Sequence, residues 1–517
     1  MNPSSSATIT LETQLGKITG IQESAHQKFL GIRYAQAPVG KLRFQQPQRI
    51  DTWEGIYDAS QYGPIAPQAY PDDPPLQLPQ SEDCLSLNIY TPISNRMDAA
   101  AKHACPVMVF IHGGGFIIDT GSRPRTYGGF LAEVGQVVVV TIEYRMGAFG
   151  FLYVEGVSPN LGLQDQICAL QWVQRHIADF GGDPANVTVF GESAGAMSIA
   201  RLLIMPAAQG LFHKAILESG SFILEPKGQN LRSAEKCARK FFKALKVAYG
   251  DVQALQNASY EAIMRAQKKV TGNSFFNDQA FFPTNDGHWL PDDPYTHLKT
   301  GFAREIPILI GANQEELPIF GGLIKNPIQQ WVMKSILFGW IKKMGLSARQ
   351  IQHLLPLYRK TLTPAQAAQK REINYLLTDA FFRIPATLLA EAHLAGQAEQ
   401  AKTYFYCFAH PAPQIQAASH VMELYFVFGT LATKDISQMM RVPGTEEELL
   451  LSRQMMKAWS NFASSGDPNH ADLPAWPPYE TERRSTMFFQ IQPRVVAAPL
   501  EEARSEWEKI LAGKQPR

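Results

Sequence analysis

The stretch that decides the fold is Val187-Thr188-Val189-Phe190-Gly191-Glu192-Ser193-Ala194-Gly195-Ala196, which is typical of a strand entering a helix through G-x-S-x-G. β-Branched and aromatic residues favour a strand before Gly191, and good helix formers follow Ser193. So sharp a turn forces strained backbone angles on Ser193, and the flanking glycines remove β-carbons that would collide across it. The pattern therefore predicts a serine hydroxyl that projects above a sheet, as a nucleophile would.

Composition describes an ordinary globular protein with ample core. The chain has 517 residues, of which 45% are hydrophobic and 18% are charged. Its 48 basic and 47 acidic side chains leave a net charge of +1, so no global field recruits nucleic acid. Since no internal repeat or low-complexity linker interrupts the sequence, we predict one domain over residues 1–517 with a helical insertion at about 325–396.

The N-terminus and the cysteines bear on the cellular compartment. Residues 1–8 lack the basic start and apolar run of a secretory signal, and the apolar runs elsewhere are only of strand length, which predicts no membrane span. The five cysteines are odd in number, scattered and unlike any metal-ligand spacing. We expect buried thiols in a cytoplasmic protein that uses no metal and no cofactor.

The order of predicted elements indicates the fold class. Residues 7–36 alternate as a short antiparallel meander, after which strands and helices take turns along the chain. The later predicted strands are 85–90, 106–111, 137–144, 187–190, 215–217, 306–310, 403–408 and 486–491, and the main helices cover about 163–177, 230–268, 325–396, 447–464 and 501–512. This order predicts an α/β fold with a large, mostly parallel sheet and helices on both faces.

A glycine run lies where an acyl-transfer enzyme needs an oxyanion hole. Ile111-His112-Gly113-Gly114-Gly115-Phe116 follows the predicted strand 106–111, about 80 residues before Ser193. Consecutive glycines let the backbone turn its N–H groups toward a substrate oxygen. The predicted donors are the N–H groups of Gly114, Gly115 and Ala194.

Several segments together carry a family resemblance. They are Gly31-Ile32-Arg33-Tyr34-Ala35-Gln36-Ala37-Pro38-Val39-Gly40, Glu82-Asp83-Cys84-Leu85-Ser86-Leu87-Asn88, the glycine run, Asn160-Leu161-Gly162-Leu163-Gln164-Asp165-Gln166, the Ser193 turn and Gly466-Asp467-Pro468-Asn469. In order and spacing, over nearly the whole length, the chain resembles the type-B carboxylesterase family. The resemblance implies an α/β-hydrolase fold and a serine hydrolase that cleaves carboxylic esters through an acyl-enzyme intermediate.

The resemblance also implies the acid and the base. In α/β-hydrolases the order is serine, acid, histidine. Glu316 matches the family's acid, although Leu317 replaces the usual glycine and Glu315 is an adjacent alternative. Topology alone allows His410 as the base, whereas the segment from Ser419 to Gly429 resembles the family's histidine segment and favours His420.

Further residues resemble the family's supporting shell. Glu423 and Ser219 look like the buried pair that polarises the histidine side of the site. Glu192, beside the nucleophile, is open to an electrostatic role on bound substrate or to packing alone. Arg43 with Glu82, and Arg145 with Asp165, look like the family's structural ion pairs.

The expected substrate is a small-molecule ester with a broad range of acyl groups. Cholinesterases of the family stack choline on a tryptophan in a disulfide-closed loop, but no tryptophan lies between Trp53 and Trp172, and no cysteine near Ala66 could pair with Cys84. The aromatics that narrow their acyl pocket would fall near Asn277 and Gln279. Two rival functions are a non-catalytic recognition module and a hydrolase of amides, carbamates or natural-product esters. For the oligomeric state, a monomer or weak dimer is expected.

A basic stretch stands outside the family argument. From Leu317 to Arg371 the chain has no acidic residue, while lysines and arginines recur beside apolar residues at helical spacing. A surface helix packed on the body is the default interpretation. The alternative hypothesis is that this stretch borders the active-site gorge and favours acyl chains or anionic interfaces.

Overall fold

The computed structural model describes residues 7–68, 78–93, 104–222, 230–272, 280–318, 326, 329, 331–332, 335, 338–339, 341–342, 345–431 and 442–513. Within these residues one 13-stranded sheet organises the chain. Its strands are β1 (Ala7–Thr13), β2 (Gly16–Gln22), β3 (His26–Arg33), β4 (Ile56–Asp58), β5 (Ser86–Pro92), β6 (Cys105–Ile111), β7 (Val138–Ile142), β8 (Gly182–Glu192), β9 (Lys214–Glu218), β10 (Ile308–Asn313), β11 (Thr403–Phe408), β12 (Thr486–Phe489) and β13 (Arg494–Val496).

The sheet combines an antiparallel N-terminal part with a parallel centre. The strand order is β1-β2-β3-β5-β7-β6-β8-β9-β10-β11-β12-β13, with β4 beside β2. Pairing is antiparallel from β1 to β7, parallel from β7 through β12, and antiparallel again between β12 and β13. β1 is partly exposed, whereas β7, β9 and β11 are buried throughout, as expected for parallel strands covered on both faces.

Helices cover both faces of this sheet. The α-helices are Gly129–Gly135, Gly147–Phe151, Leu161–His176, Ala194–Leu202, Leu231–Leu245, Val252–Asn257, Tyr260–Thr271, Pro294–Lys299, Ala348–Arg359, Pro364–Ala368, Glu372–Thr378, Ile384–Gly396, Met422–Val427, Glu446–Ser465 and Glu501–Ala512. Along β6, Val107, Val109 and Ile111 face one hydrophobic core, while Met108 and Phe110 face the other. The predicted α/β class is thereby confirmed.

The predicted helical insertion is a series of shorter helices. Between 348 and 396 there are four α-helices, and the five-residue π-helix Asp379–Arg383 lies between the last two of them, Glu372–Thr378 and Ile384–Gly396. They form a third hydrophobic cluster with Trp507 of the C-terminal helix. Much of the basic stretch, including Lys325, Lys334 and Lys343, lies outside the described residues, so its proposed role stays a hypothesis. In the described chain, no helix is long and apolar enough to cross a membrane.

The carboxyl ends of the parallel strands deliver the candidate functional residues to one edge of the sheet. β6 leads into the glycine run, β8 into Ser193 and β9 into Ser219. The acid candidates follow β10, and His420 follows β11 after a loop. Ligands of open α/β sheets bind at this edge, so the fold gathers the residues that the sequence singled out.

Candidate active site

Ser193 occupies the strained turn that the sequence predicts. It joins β8 to the helix Ala194–Leu202 with φ 54° and ψ −119°, a conformation that non-glycine residues rarely adopt. A β-carbon on Gly191 would lie 2.5 Å from the Ile111 carbonyl oxygen, which explains the glycine. The Ser193 N–H donates to the Glu218 carbonyl at 2.9 Å and fixes the turn against β9.

The glycine run lies directly beside Ser193. Gly114 and Gly115 have φ of +88° and +59°, which glycine adopts at little cost. A β-carbon on Gly113 would be 2.7 Å from Glu192 Oε2 and 3.1 Å from Ser193 Cβ, so the run is packed against the turn. Ala194 is the first residue of its helix, and its N–H therefore has no partner four residues earlier. The three predicted oxyanion donors thus belong to two segments that flank Ser193.

Glu316 and His420 are in direct contact. Glu316 Oε2 lies 2.7 Å from His420 Nδ1, and Glu316 Oε1 accepts the Asn313 N–H at 2.7 Å. The Glu316 N–H donates to Thr378 Oγ1 at 3.0 Å, and the carboxylate is buried. The Asn313 N–H and the imidazole therefore hold the two oxygens of this carboxylate, and Thr378 fixes the Glu316 backbone.

The two alternatives that sequence left open have other partners. Glu315 is buried in an ion pair with Arg371 and accepts a hydrogen bond from Asn374 Nδ2 at 3.1 Å. His410 Nε2 lies 3.1 Å from Glu448 Oε1, on the helix Glu446–Ser465. Neither contacts Ser193 or His420 through a hydrogen bond in the described structure.

Glu192 faces the other nitrogen of His420. Its Oε1 lies 3.1 Å from His420 Nε2, and no hydrogen bond joins the Ser193 hydroxyl to His420 among the described contacts. Burial raises the pKa of the Glu192 carboxyl above its usual range, and a positive charge on His420 opposes this shift because it favours the carboxylate. Burial alone lowers the pKa of His420, but the Glu192 and Glu316 carboxylates outweigh it and raise that pKa. This contact places the Glu192 carboxyl against the imidazole.

Replacing Glu192 with glutamine should extend activity to lower pH. An imidazole is a base only when it is neutral, and the Glu192 carboxylate favours its protonated form. Without that charge the pKa of His420 falls, so the acid limb of the kcat/KM profile should move down by about one pH unit or more. The profile for a neutral ester measures this shift. An unmoved acid limb would show that Glu192 does not act on the base.

The buried pair implied by the resemblance is present. Ser219 Oγ donates to Glu423 Oε1 at 3.2 Å, and Asn313 Nδ2 donates to the other oxygen of Glu423. Asn313 Nδ2 also donates to the Ser419 carbonyl at 2.7 Å, next to His420. Sequence reasoning missed Asn313, together with Phe382, whose ring centroid lies 4.9 Å from that of His420. The position of Asn313 at the end of β10, three residues before Glu316, was the available signal.

A buried carboxyl beneath the glycine run was also missed. Glu143 is 1% exposed and accepts hydrogen bonds from Thr120 Oγ1 and, at 3.0 Å, from Ser122 Oγ. Its Oε2 lies 3.9 Å from His112 Nε2, and neither atom has a hydrogen-bond partner within the described chain. Burial raises the pKa of Glu143 to about 8 and lowers that of His112 to about 4. At neutral pH both groups are therefore uncharged.

Glu143→Gln should stabilise the protein at pH 7.5. The ordinary glutamate pKa is 4.5, so between pH 4.5 and 8 the unfolded chain has released a proton that the folded chain retains. Stability falls as pH rises through this window, and glutamine removes the loss. We expect a gain of about 1–3 kcal/mol at pH 7.5 that disappears below pH 4.5.

Thermal unfolding at both pH values measures this effect, and Glu155→Gln, at an exposed glutamate, is the matched control. Equal stability of Glu143→Gln and the native protein at pH 7.5 would contradict the buried neutral carboxyl.

Comparison with known proteins places the chain in a family. The sequence model of the carboxylesterase family matches residues 7–507. The chain is 38% identical to the para-nitrobenzyl esterase of Bacillus subtilis (strain 168) over 509 residues, covering 96% of this chain and 97% of the relative. Among solved structures, carboxylesterase EST55 of Geobacillus stearothermophilus superposes with a TM-score of 0.82 at 34% identity, and a thermophilic PNB esterase with 0.80 at 35%. Each of these covers 96% of this chain and 99% of the other. The chain belongs to the carboxylesterase family and is a serine hydrolase of carboxylic esters.

Proposed function

We propose that Ser193 is the nucleophile, His420 the general base and Glu316 the acid that orients it. The observation that carries this assignment is the 2.7 Å contact between Glu316 and His420 Nδ1 at the sheet edge that presents strained Ser193. With Nδ1 engaged, the neutral imidazole offers Nε2 as the proton acceptor. The serine oxygen bonds to the ester carbonyl carbon, its proton passes to Nε2, and the alcohol leaves with that proton. Water then repeats the sequence on the acyl-enzyme.

For this transfer Nε2 has to meet the Ser193 hydroxyl rather than Glu192. About a quarter of the His420 side chain is exposed, and Phe382 packs against one side of its ring. Catalytic hydrogen bonds of unliganded enzymes often tighten only when substrate binds. A small rotation about the Nδ1 contact, with Glu316 as the fixed partner, is the movement that we propose.

The negative charge of the tetrahedral intermediate needs donors that are already in place. We assign this role to the N–H groups of Gly114, Gly115 and Ala194. The positive end of the helix Ala194–Leu202 adds to them, since the first turn of a helix carries unpaired N–H groups. Donors fixed in advance lower the activation barrier because they do not reorganise during the reaction.

Covalent labelling tests the nucleophile. An alkyl fluorophosphonate should add one phosphonyl group per chain, and peptide mass spectrometry should locate it on Ser193. Ser198, a buried serine one turn further along the same helix, is the internal control because its hydroxyl bonds to the Ala194 carbonyl at 2.9 Å. Labelling of another residue in place of Ser193 would refute the assignment.

For the substrate, we propose small uncharged carboxylic esters with a broad range of acyl groups. The name of the para-nitrobenzyl relative supports esters of aromatic alcohols. The segment around Asn277 and Gln279, where acyl-pocket aromatics would fall, lies outside the described residues. Amides, carbamates and natural-product esters remain the second candidate class, and a substrate library on the purified protein separates them from simple esters.

Choline esters should be poor substrates. The sequence offers neither the tryptophan nor the disulfide loop on which a cholinesterase stacks the quaternary ammonium group, so this cation gains no cation–π stabilisation there. We expect kcat/KM for p-nitrophenyl butyrate to exceed that for butyrylcholine by at least about tenfold, the factor that corresponds to 1.4 kcal/mol. Assays of both substrates on one preparation measure this ratio. Faster turnover of butyrylcholine than of p-nitrophenyl butyrate would contradict the proposed preference for uncharged esters.

We further propose a cytoplasmic monomer or weak dimer. All five cysteines are in the described chain, none forms a disulfide, and four are buried, as is usual in reducing compartments. Light scattering after size exclusion measures the oligomeric state, and cell fractionation measures the location. Recovery of the protein in a secreted fraction would contradict the location.

A further inference from the structure

A small cavity adjoins the π-helix Asp379–Arg383. It is enclosed by this helix, the helix Ile384–Gly396, the strands β11 and β12, and the start of the C-terminal helix. Its volume is about 30 Å³. One water-sized group needs about 10–15 Å³, so the cavity has room for a single small ion or for a water pair.

The charged groups of the cavity lining are mainly cationic. Arg383, Arg484 and Arg504 line it, and Asp379 is the one carboxylate of the lining, counted over the described residues. Each guanidinium is mostly buried, with 11–17% of its side chain exposed. The glutamates that pair with Arg484 and Arg504 belong to the surrounding shell and not to the lining. We call this site the arginine cavity.

Two donors of the arginine cavity lack a partner among the residues that the structure describes. Arg383 Nη2 and Arg484 Nε are buried and make no hydrogen bond within the described structure. Arg383 Nε donates to Asp379, Arg484 Nη1 donates to the Thr481 carbonyl, and Arg484 Nη2 lies 3.3 Å from Glu391 Oε1. Buried donors of a folded protein nearly always have a hydrogen-bond partner. We therefore expect a bound acceptor in the cavity for these two donors.

The chemistry of the lining favours an anion over water. The described lining holds three guanidinium groups and one carboxylate, so positive charge is in excess there. An anion accepts only, and guanidinium groups bind anions with charge-assisted hydrogen bonds. The small volume excludes phosphate and other large oxyanions.

The arginine cavity is connected to the catalytic residues through one short turn. Arg383 is the last residue of the π-helix, and Phe382, its neighbour, packs on the His420 ring. Thr378, directly before the π-helix, accepts the Glu316 N–H. π-Helices are rare and frequently occur at functional sites. Whatever fixes Arg383 therefore also fixes the contacts of the acid and the base.

We propose that the arginine cavity binds one small monovalent anion of the size of chloride, and that this anion holds the π-helix which supports His420 and Glu316. The anion accepts from Arg383 Nη2 and Arg484 Nε. Binding stabilises the folded chain, and it raises kcat more than it changes KM because it acts on the catalytic groups.

The first test is a chloride titration of the unfolding temperature. Sodium chloride replaces sodium gluconate at constant ionic strength, since gluconate is too large for the cavity. We expect a saturable rise in Tm of about 2 °C or more, because a ligand that binds only the folded state stabilises it. Arg484→Gln should abolish the rise, whereas Arg483→Gln, at the exposed neighbouring arginine, should retain it. No saturable rise in the native protein, or the same rise in Arg484→Gln, would overturn the proposal.

Two further measurements do not depend on how the variants fold. Bromide soaked into crystals of the native protein should give an anomalous peak within hydrogen-bonding distance of Arg383 Nη2 and Arg484 Nε, and a cavity without that peak would overturn the site. In the second, kcat for p-nitrophenyl butyrate should rise at least about twofold with the same half-saturating chloride concentration as Tm. A constant kcat alongside a rising Tm would support the anion site and overturn its connection to the catalytic groups.

Discussion

Ser193→Ala is expected to lower kcat for ester hydrolysis by about 10⁶-fold, by analogy with the loss of the nucleophile in subtilisin. The variant lacks the oxygen that carries the acyl group, and no neighbouring hydroxyl can replace it because Ser198 and Ser219 are buried in other hydrogen bonds. Single-turnover assays with p-nitrophenyl butyrate reach the low rates that remain. The residual activity should be independent of fluorophosphonate treatment.

The control for this variant is its fold. Ser193 contributes its backbone N–H, and not its hydroxyl, to the bond with Glu218, so alanine should leave the unfolding temperature nearly unchanged. Ser198→Ala is the matched variant and should keep most of the activity. If Ser193→Ala retained activity comparable to the native protein, the assignment of the nucleophile would be wrong.

The adjacent carboxylates Glu316 and Glu315 should have opposite effects when each is changed to glutamine. Glu316→Gln places an amide against His420 Nδ1, which favours the wrong tautomer, as in the serine proteases where the equivalent change lowers kcat by about 10⁴-fold. Glu315→Gln leaves Arg371 buried without its counter-ion, at a cost of about 3–5 kcal/mol in stability. The expected outcome is an inactive stable variant beside an active unstable one.

For Glu316→Gln and for Glu315→Gln, the measurements are kcat at 25 °C and the free energy of unfolding. Any loss of kcat in Glu315→Gln should be recovered when the temperature is lowered, since it reflects the unfolded fraction. Comparable losses of kcat in two fully folded variants would mean that the geometry does not distinguish the two carboxylates.

Strand positions could be predicted from sequence where strands are buried on both faces. The predicted strand 403–408 coincides with β11, and the helix predicted at 447–464 is Glu446–Ser465. β8 is longer than predicted. Gly182 and its neighbours have no sequence pattern typical of a strand, and they extend β8 only because they pair with β6. The helical insertion is broken where Pro364 begins a new helix, and the apolar periodicity of the sequence does not show this break.

The candidate site was predictable where a local motif or a family segment marks it. Ser193 and the glycine run need only their neighbours in sequence, whereas Glu143 and Phe382 reach the site through contacts between distant segments. The choice between Glu315 and Glu316 illustrates the limit. Both carboxylates follow the same strand, and the family resemblance favours Glu316, whereas their partners Arg371 and His420 are visible only in three dimensions.

A short sequence pattern predicts the strained turn at Ser193. The backbone around Glu316 and His420, however, decides whether the acid can be exchanged for another residue. The His420 N–H donates to the Glu316 carbonyl at 3.0 Å, and the Glu315 N–H donates to the Ala418 carbonyl at 3.1 Å. These two bonds join the loop after β11 to the loop after β10. The backbone positions of Glu316 and His420 are therefore fixed relative to each other. An aspartate at position 316 is shorter than glutamate and would have to lie closer to the imidazole. A movement of only one of the two loops could not bring it there, because the two loops are joined. Evolution of this site toward the Ser-His-Asp form would therefore require both loops to be rebuilt together.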